Sequence, residues 1–231
     1  MIRAVVLAAV FLSGAALMSL EMIGFRVVQP IFGSDIYVYG SLISVFLGGL
    51  ALGAFVGGRL ADREPSFGML AAVFGFAGLL VVAVPFVDDW VMGWTFPDEG
   101  PPTPVEWDET GWARLSEYQY PDLKWPVLAC GAILFGAPAT LLGMVTPYAA
   151  KLLIRKMPQV GTGIGYISGV STAGAIFGTL GTTFYLVGRM DTPWILASNG
   201  LVLVGLGLAL ALVHLAAPRE RRRPLPRSAH L

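Results

Sequence analysis

The sequence predicts an all-α, polytopic membrane protein of six transmembrane helices, and three observations carry that reading. Of its 231 residues, 55% are hydrophobic and only 13% charged, about half the charged share of an ordinary soluble domain. Six apolar runs are each long enough, at about 1.5 Å rise per residue, to cross a hydrocarbon core of about 30 Å. Once those runs are taken as spans, the basic residues fall mostly on one side of the membrane.

The first span covers about residues 4–25, AVVLAAVFLSGAALMSLEMIGF. A cleavable leader is the competing reading because Arg3 precedes an apolar core, but the run exceeds the roughly 7–15 residues of a signal core. The second, about 37–58, holds no charge and ends abruptly in Arg59, Asp62, Arg63, Glu64 and Pro65. Basic residues flanking a span stay on the cytoplasmic side, so this helix runs from outside to inside. The third covers about 67–87. A polar stretch, 88–125, then reads as an extracytoplasmic loop rich in acidic residues and tryptophan. The fourth span, about 126–146, is interrupted near its inner half by Pro138, Gly143 and Pro147, as in the broken helices that form transporter sites or as a simple kink. The fifth and sixth cover about 161–187 and 193–217, and a basic, proline-rich tail, 218–231, follows.

Lys and Arg test this order. Arg3, Arg59, Arg63, Lys151, Arg155, Lys156, Arg219, Arg221, Arg222, Arg223 and Arg227 fall on one side, against Arg26, Arg114, Lys124 and Arg189 on the other. This places both termini in the cytoplasm, and the membrane expected is the plasma membrane. One domain accounts for the whole length, and its two halves of three spans enter the membrane from opposite sides, the arrangement of a 3+3 inverted repeat. GSDIYVYGSLISVFLGGLALGAF from Gly33 and GTGIGYISGVSTAGAIFGTLGTTF from Gly161 echo each other, chiefly in glycines and small residues. Gly49, Gly53 and Gly57 recur every four residues, as do Gly174 and Gly178. That spacing puts hydrogen-only side chains on one helix face, where close packing replaces the hydrophobic drive that lipid does not supply. Spans two and five are therefore expected at the bundle centre or at an oligomer contact.

Few residues can carry chemistry. Glu21 and Arg26, at the outer end of span one, form a candidate ligand site or ion pair, although five residues is a poor spacing for a helical pair. The alternative is that Arg26 snorkels while Glu21 faces water or a packed helix. Arg59, Asp62 and Arg63 make a cytoplasmic loop motif, read either as a brace between moving helices or as a static helix end. The acidic and aromatic residues of 88–125 suit a polyamine or a basic protein, or else the tryptophans rest at the membrane interface. The central spans offer mainly Ser44, Ser168, Ser171 and Thr172, with no carboxylate expected at mid-depth. Cys130 is the single cysteine, and His214 and His230 stand apart from other ligands, so no metal and no cofactor are expected. Nucleotide loops, nucleophile elbows and paired His-Glu motifs are absent, which argues against a free-standing enzyme. Nothing points to nucleic acid.

The chain resembles the multi-pass membrane region of spermidine synthase-like proteins, also known as fused major-facilitator and spermidine synthase proteins. FLSGAALMSLEMIGFRVVQPIFGS carries the resemblance through Glu21, Arg26, Phe32, Gly33 and Ser34, and GGRLADR, LLGMVTPYAAKL and GYISGVSTAGAIFGTLGTTFYLV extend it. GGRLADRE is also similar to the loop between the second and third helices of major-facilitator transporters, but Pro65 and Ser66 stand where that motif continues with glycine and basic residues. The resemblance implies a fold like half of a major-facilitator bundle. The aminopropyltransferase motifs are absent, so no catalytic residue is carried over. The implied function is a non-catalytic membrane subunit that anchors or serves a separately encoded partner. The alternatives are a dimeric transporter or sensor of a polyamine or other small cation, and an accessory subunit of a larger membrane complex. Expected partners are the lipid bilayer and a protein partner or second copy.

Overall fold

In the computed structural model, which describes residues 2–63, 65–95, 124–153 and 160–216, all regular structure is helical. Six long helices form a bundle: α1 (Ile2–Phe32), α2 (Ile36–Arg63), α3 (Phe67–Thr95), α4 (Lys124–Leu153), α5 (Val160–Leu186) and α6 (Thr192–Ala216). Each is long and apolar enough to cross a membrane, and the protein is a multi-pass membrane protein.

The helix ends follow from local chemistry. Gly33 has φ of 74° and its N–H donates to the Gln29 carbonyl at 2.9 Å, the left-handed cap that glycine adopts without a Cβ penalty. Two residues on, the Asp35 carboxylate accepts from the Ile36 N–H and starts α2. Ser66 does the same for α3, its hydroxyl accepting from the Met69 N–H at 3.2 Å. The Tyr148 hydroxyl, buried on α4, accepts from the Ser66 N–H at 2.8 Å and ties this connector to the bundle.

Two boundaries differ from the sequence reading. Helix α1 continues to Phe32 through Gly24, Arg26 and Pro30, and ends at Gly33, the glycine with positive φ. Helix α3 continues through Asp88 and Asp89 to Thr95, so the polar stretch begins inside a helix rather than as a loop. Residues 96–123 of the outer stretch, Arg155, Lys156 and the tail 218–231 lie outside the described residues.

Helix α4 is broken where its prolines require it. Pro138 has no N–H for the Leu134 carbonyl, and the turn Ala132–Gly136 widens into a π-turn just before it. Pro147 likewise has no N–H for Gly143, and the helix is interrupted at Met144. A second π-turn, Thr182–Leu186, ends α5, with the Val187 N–H donating to the Thr182 carbonyl at 2.9 Å.

The helices pack as three pairs: α1 with α5, α2 with α4, and α3 with α6. Gly174 meets the backbone of Phe11 and Gly178 that of Ala15, so α1 and α5 run parallel. Gly49 meets Ala139, Gly53 meets Thr140 and Gly143, and Gly57 meets Met144, so α2 and α4 are parallel too. Gly78 faces Gly200, and Gly207 faces Gly75 and Ala71, which makes α3 and α6 antiparallel. Six spans that alternate in direction require this combination. Exchanging α1, α2 and α3 with α4, α5 and α6 turns the first two pairs into each other and maps the third onto itself, which fits a 3+3 inverted repeat. Gly78 and Gly200 mark the self-paired contact: a Cβ on either would lie within 2.7 Å of the other's carbonyl oxygen.

Burial bears on the first of the two places expected for α2 and α5, the bundle centre. The glycines of α2 and α5 sit in tight contacts, but α1 is the most buried helix and α5 the least. The bundle is centred on α1, with α2 and α5 along one flank, because their glycines serve only the face turned inward.

Candidate functional site

A cleft of about 780 Å³ lies between the two parallel pairs, with α1 and α5 on one wall and α2 and α4 on the other. That size is typical of a small-molecule site. Ser13, Leu17, Leu50, Leu142, Ser171 and Thr172 line its inner part, and Asp62 and Lys151 stand at one end. Beyond Leu50 the bundle closes: Phe46 and Phe135, both buried, stack at 5.6 Å, and Leu42 packs against Gly24. The cleft is therefore one-sided, with its charged end opposite the Phe46–Phe135 plug.

The loop motif predicted at the end of α2 divides at this mouth. Asp62 pairs with Lys151 of α4 at 2.7 Å, both groups exposed, rather than with the neighbouring arginines. The Arg59 guanidinium lies 3.5 Å from the centre of the Phe55 ring, and Arg63 is exposed. The partner of Asp62 was not legible in sequence, since Lys151 lies far along the chain and nothing local pairs the two.

Glu21 and Arg26 form no ion pair: Arg26 is exposed and Glu21 partly buried. The longer α1 moves Glu21 to about 5 Å from the helix midpoint, at 1.5 Å per residue. Glu21 therefore lies well inside the helix rather than at its outer end. Glu21 follows the cleft residue Leu17 by four positions and so shares its helix face, one turn beyond the cleft. Of the predicted mid-span hydroxyls, Ser168, Ser171 and Thr172 line the cleft, whereas Ser44 is exposed and does not.

A second polar group escaped the sequence reading. The Thr182 hydroxyl donates to Ser19 Oγ at 2.6 Å and Asn199 Nδ2 donates to the same oxygen at 2.9 Å, joining α1, α5 and α6. Thr182 and Ser19 are buried, and Asn199 also donates to the Ile195 carbonyl at 3.0 Å. The only signal was three isolated small polar residues in apolar runs, which spacing alone cannot bring together.

At the other end of the bundle, Tyr37, Trp90, Trp94, Trp125, Tyr185 and Trp194 are all exposed. Their exposure at one end of the bundle is what amphipathic rings at a membrane interface would show. The ammonium of Lys124 lies 5.0 Å from the Tyr37 ring centre, and the Arg189 guanidinium 3.8 Å from that of Tyr185. Cys130 is buried in the bundle.

No family model, curated protein or solved structure matches the chain.

Proposed function

We propose that the chain is a non-catalytic membrane subunit that binds a small molecule in the cleft between its two helix pairs, acting as a transporter or sensor in a dimer. Both termini and the charged mouth are assigned to the cytoplasmic side of the plasma membrane, in keeping with the distribution of Lys and Arg. The observation that carries this reading is the one-sided cleft, walled by α1 and α2 of one half and α4 and α5 of the other. Sites at the interface of two inverted halves are the general solution for moving a solute by rocking one half against the other.

A second reading is supported by the exposed Arg59, Arg63 and Lys151 at the same end. There the chain anchors a separately encoded soluble protein of the spermidine synthase-like kind, and the basic end is its docking face.

Gly58 lines the cleft with open space around its missing Cβ, so Gly58→Leu should fill the cleft without disturbing the packing. The tagged chain, purified in gentle detergent from its own cells, is examined by native mass spectrometry. A bound small molecule present in the parent and lost in Gly58→Leu is the expected result. Equimolar recovery of a soluble protein, with no small molecule in either form, would replace this reading with the anchor.

A further inference from the structure

The order of groups along the cleft points to a particular ligand: we propose that it holds a single-chain zwitterionic amphiphile taken up laterally from the bilayer. This inference rests on the reading of the cleft as a ligand site. Asp62 and Lys151 mark its shallow end, and Leu50 lies about 18 Å deeper along α2, at 1.5 Å per residue. On the opposite wall Ile164 lies toward the start of α5, with Ser168 about 6 Å and Ser171 about 10 Å further along the helix. Inward from the charged pair come the hydroxyls of Ser168 and Ser171, the latter against Gly14 of α1, and then Leu17, about one turn further along α1. An amphiphile presents the same sequence as head group, polar linker and chain.

The hydroxyls divide in the same sense. Ser13 donates to the Val10 carbonyl at 2.9 Å and Thr172 to the Ser168 carbonyl at 3.0 Å, so both are spent on their own helices. The Ser168 and Ser171 side chains donate to no group among the described residues and are free to bond a linker. The deeper wall, with Leu17, Leu50 and Leu142, is apolar.

Charge selects the head group. Among the described residues, Asp62 and Lys151 are the charged ones that line the cleft, and they cancel. A polyamine would bring several ammonium groups to one carboxylate that is already paired. A zwitterion exchanges partners instead: its cation takes Asp62 and its anion takes Lys151, in place of an exposed pair that holds weakly. The side of approach follows from packing. Helices α2 and α5 scarcely touch, and the lining residues Ala54, Ile164, Ser168 and Thr172 are exposed along the seam between them. That seam opens on the outer surface of the bundle, the side from which a chain lying in the bilayer would enter.

The test measures binding of hexadecanoyl lysophosphatidylcholine, hexadecanoyl lysophosphatidylglycerol, hexadecanoyl glycerol and spermidine to the full chain in non-ionic detergent, by native mass spectrometry. The zwitterionic probe should bind at least tenfold more tightly than the other three. Gly58→Leu and Ala54→Leu should each weaken it at least tenfold, and Asp62→Asn should shift preference toward the anionic probe by unpairing Lys151. Tighter binding of spermidine or of the anionic probe to the parent chain, still weakened by the filling substitutions, overturns the proposed ligand and leaves the cleft as the site. Binding of every probe unchanged by both filling substitutions overturns the cleft itself.

Discussion

Gly48 and Gly49 are neighbours in α2, yet a methyl group on the first would meet open space and on the second the Cβ of Ala139 at 2.7 Å. The same contrast divides glycines of identical spacing. Gly161, Gly165 and Gly169 recur every four residues and face nothing within 4 Å, whereas Gly174 and Gly178 press on the backbone of α1. Four-residue spacing therefore identifies a face that can pack closely, and only the neighbouring helix decides whether it does. Gly53→Ala, whose Cβ would strike the Thr140 carbonyl, should destabilise the chain by about 1–3 kcal/mol through overpacking. Gly48→Ala should leave stability unchanged. Thermal unfolding of both variants in detergent checks this, and equal midpoints would show that the α2–α4 contact tolerates a methyl group.

At the scale of elements, the breaks in α4 were legible because proline carries them: Pro138 and Pro147 mark where the helix yields. The π-turn of α5 was not, since Thr182–Leu186 contains no proline or glycine. That turn holds Thr182 against Ser19, and Asn199 completes the three-helix node. Ser19→Ala removes the acceptor of both bonds, with an expected cost of about 0.6–1.7 kcal/mol, from the mean to the largest value for one interhelical hydrogen bond in a membrane. Asn199→Leu, which spares the Ser19–Thr182 bond, should cost less. Chemical unfolding in mixed micelles ranks the two, and the reverse order would place the node's weight on Asn199. The extension of α1 belongs here as well. Hydrophobicity alone ended the span near residue 25, but backbone bonding carries the helix past Arg26 to the glycine that can cap it.

For the whole molecule, the pairing of α1 with α5, α2 with α4 and α3 with α6 puts Arg63 and the Asp62–Lys151 pair at one end and Gly188 at the other. In a Cys130→Ser background, Gly188→Cys should react with an impermeant maleimide on intact cells, and Arg63→Cys only after the membrane is opened. Labelling of Arg63→Cys from outside would reverse the assigned orientation. The sequence by itself determined the all-helical class, the six spans and their alternation, because hydrocarbon thickness and backbone hydrogen bonding leave a long apolar run no other form. It also determined which glycine faces were available for close packing. Only the tertiary structure decided which helices pair, that Asp62 meets Lys151 rather than its neighbours, and that Ser168 and Ser171 share a cleft with Leu17 and Leu50. Lipid is as apolar as the spans themselves, so hydropathy is silent on their partners. The choice falls to shape, glycine against backbone, and to hydrogen bonds between residues far apart in the chain.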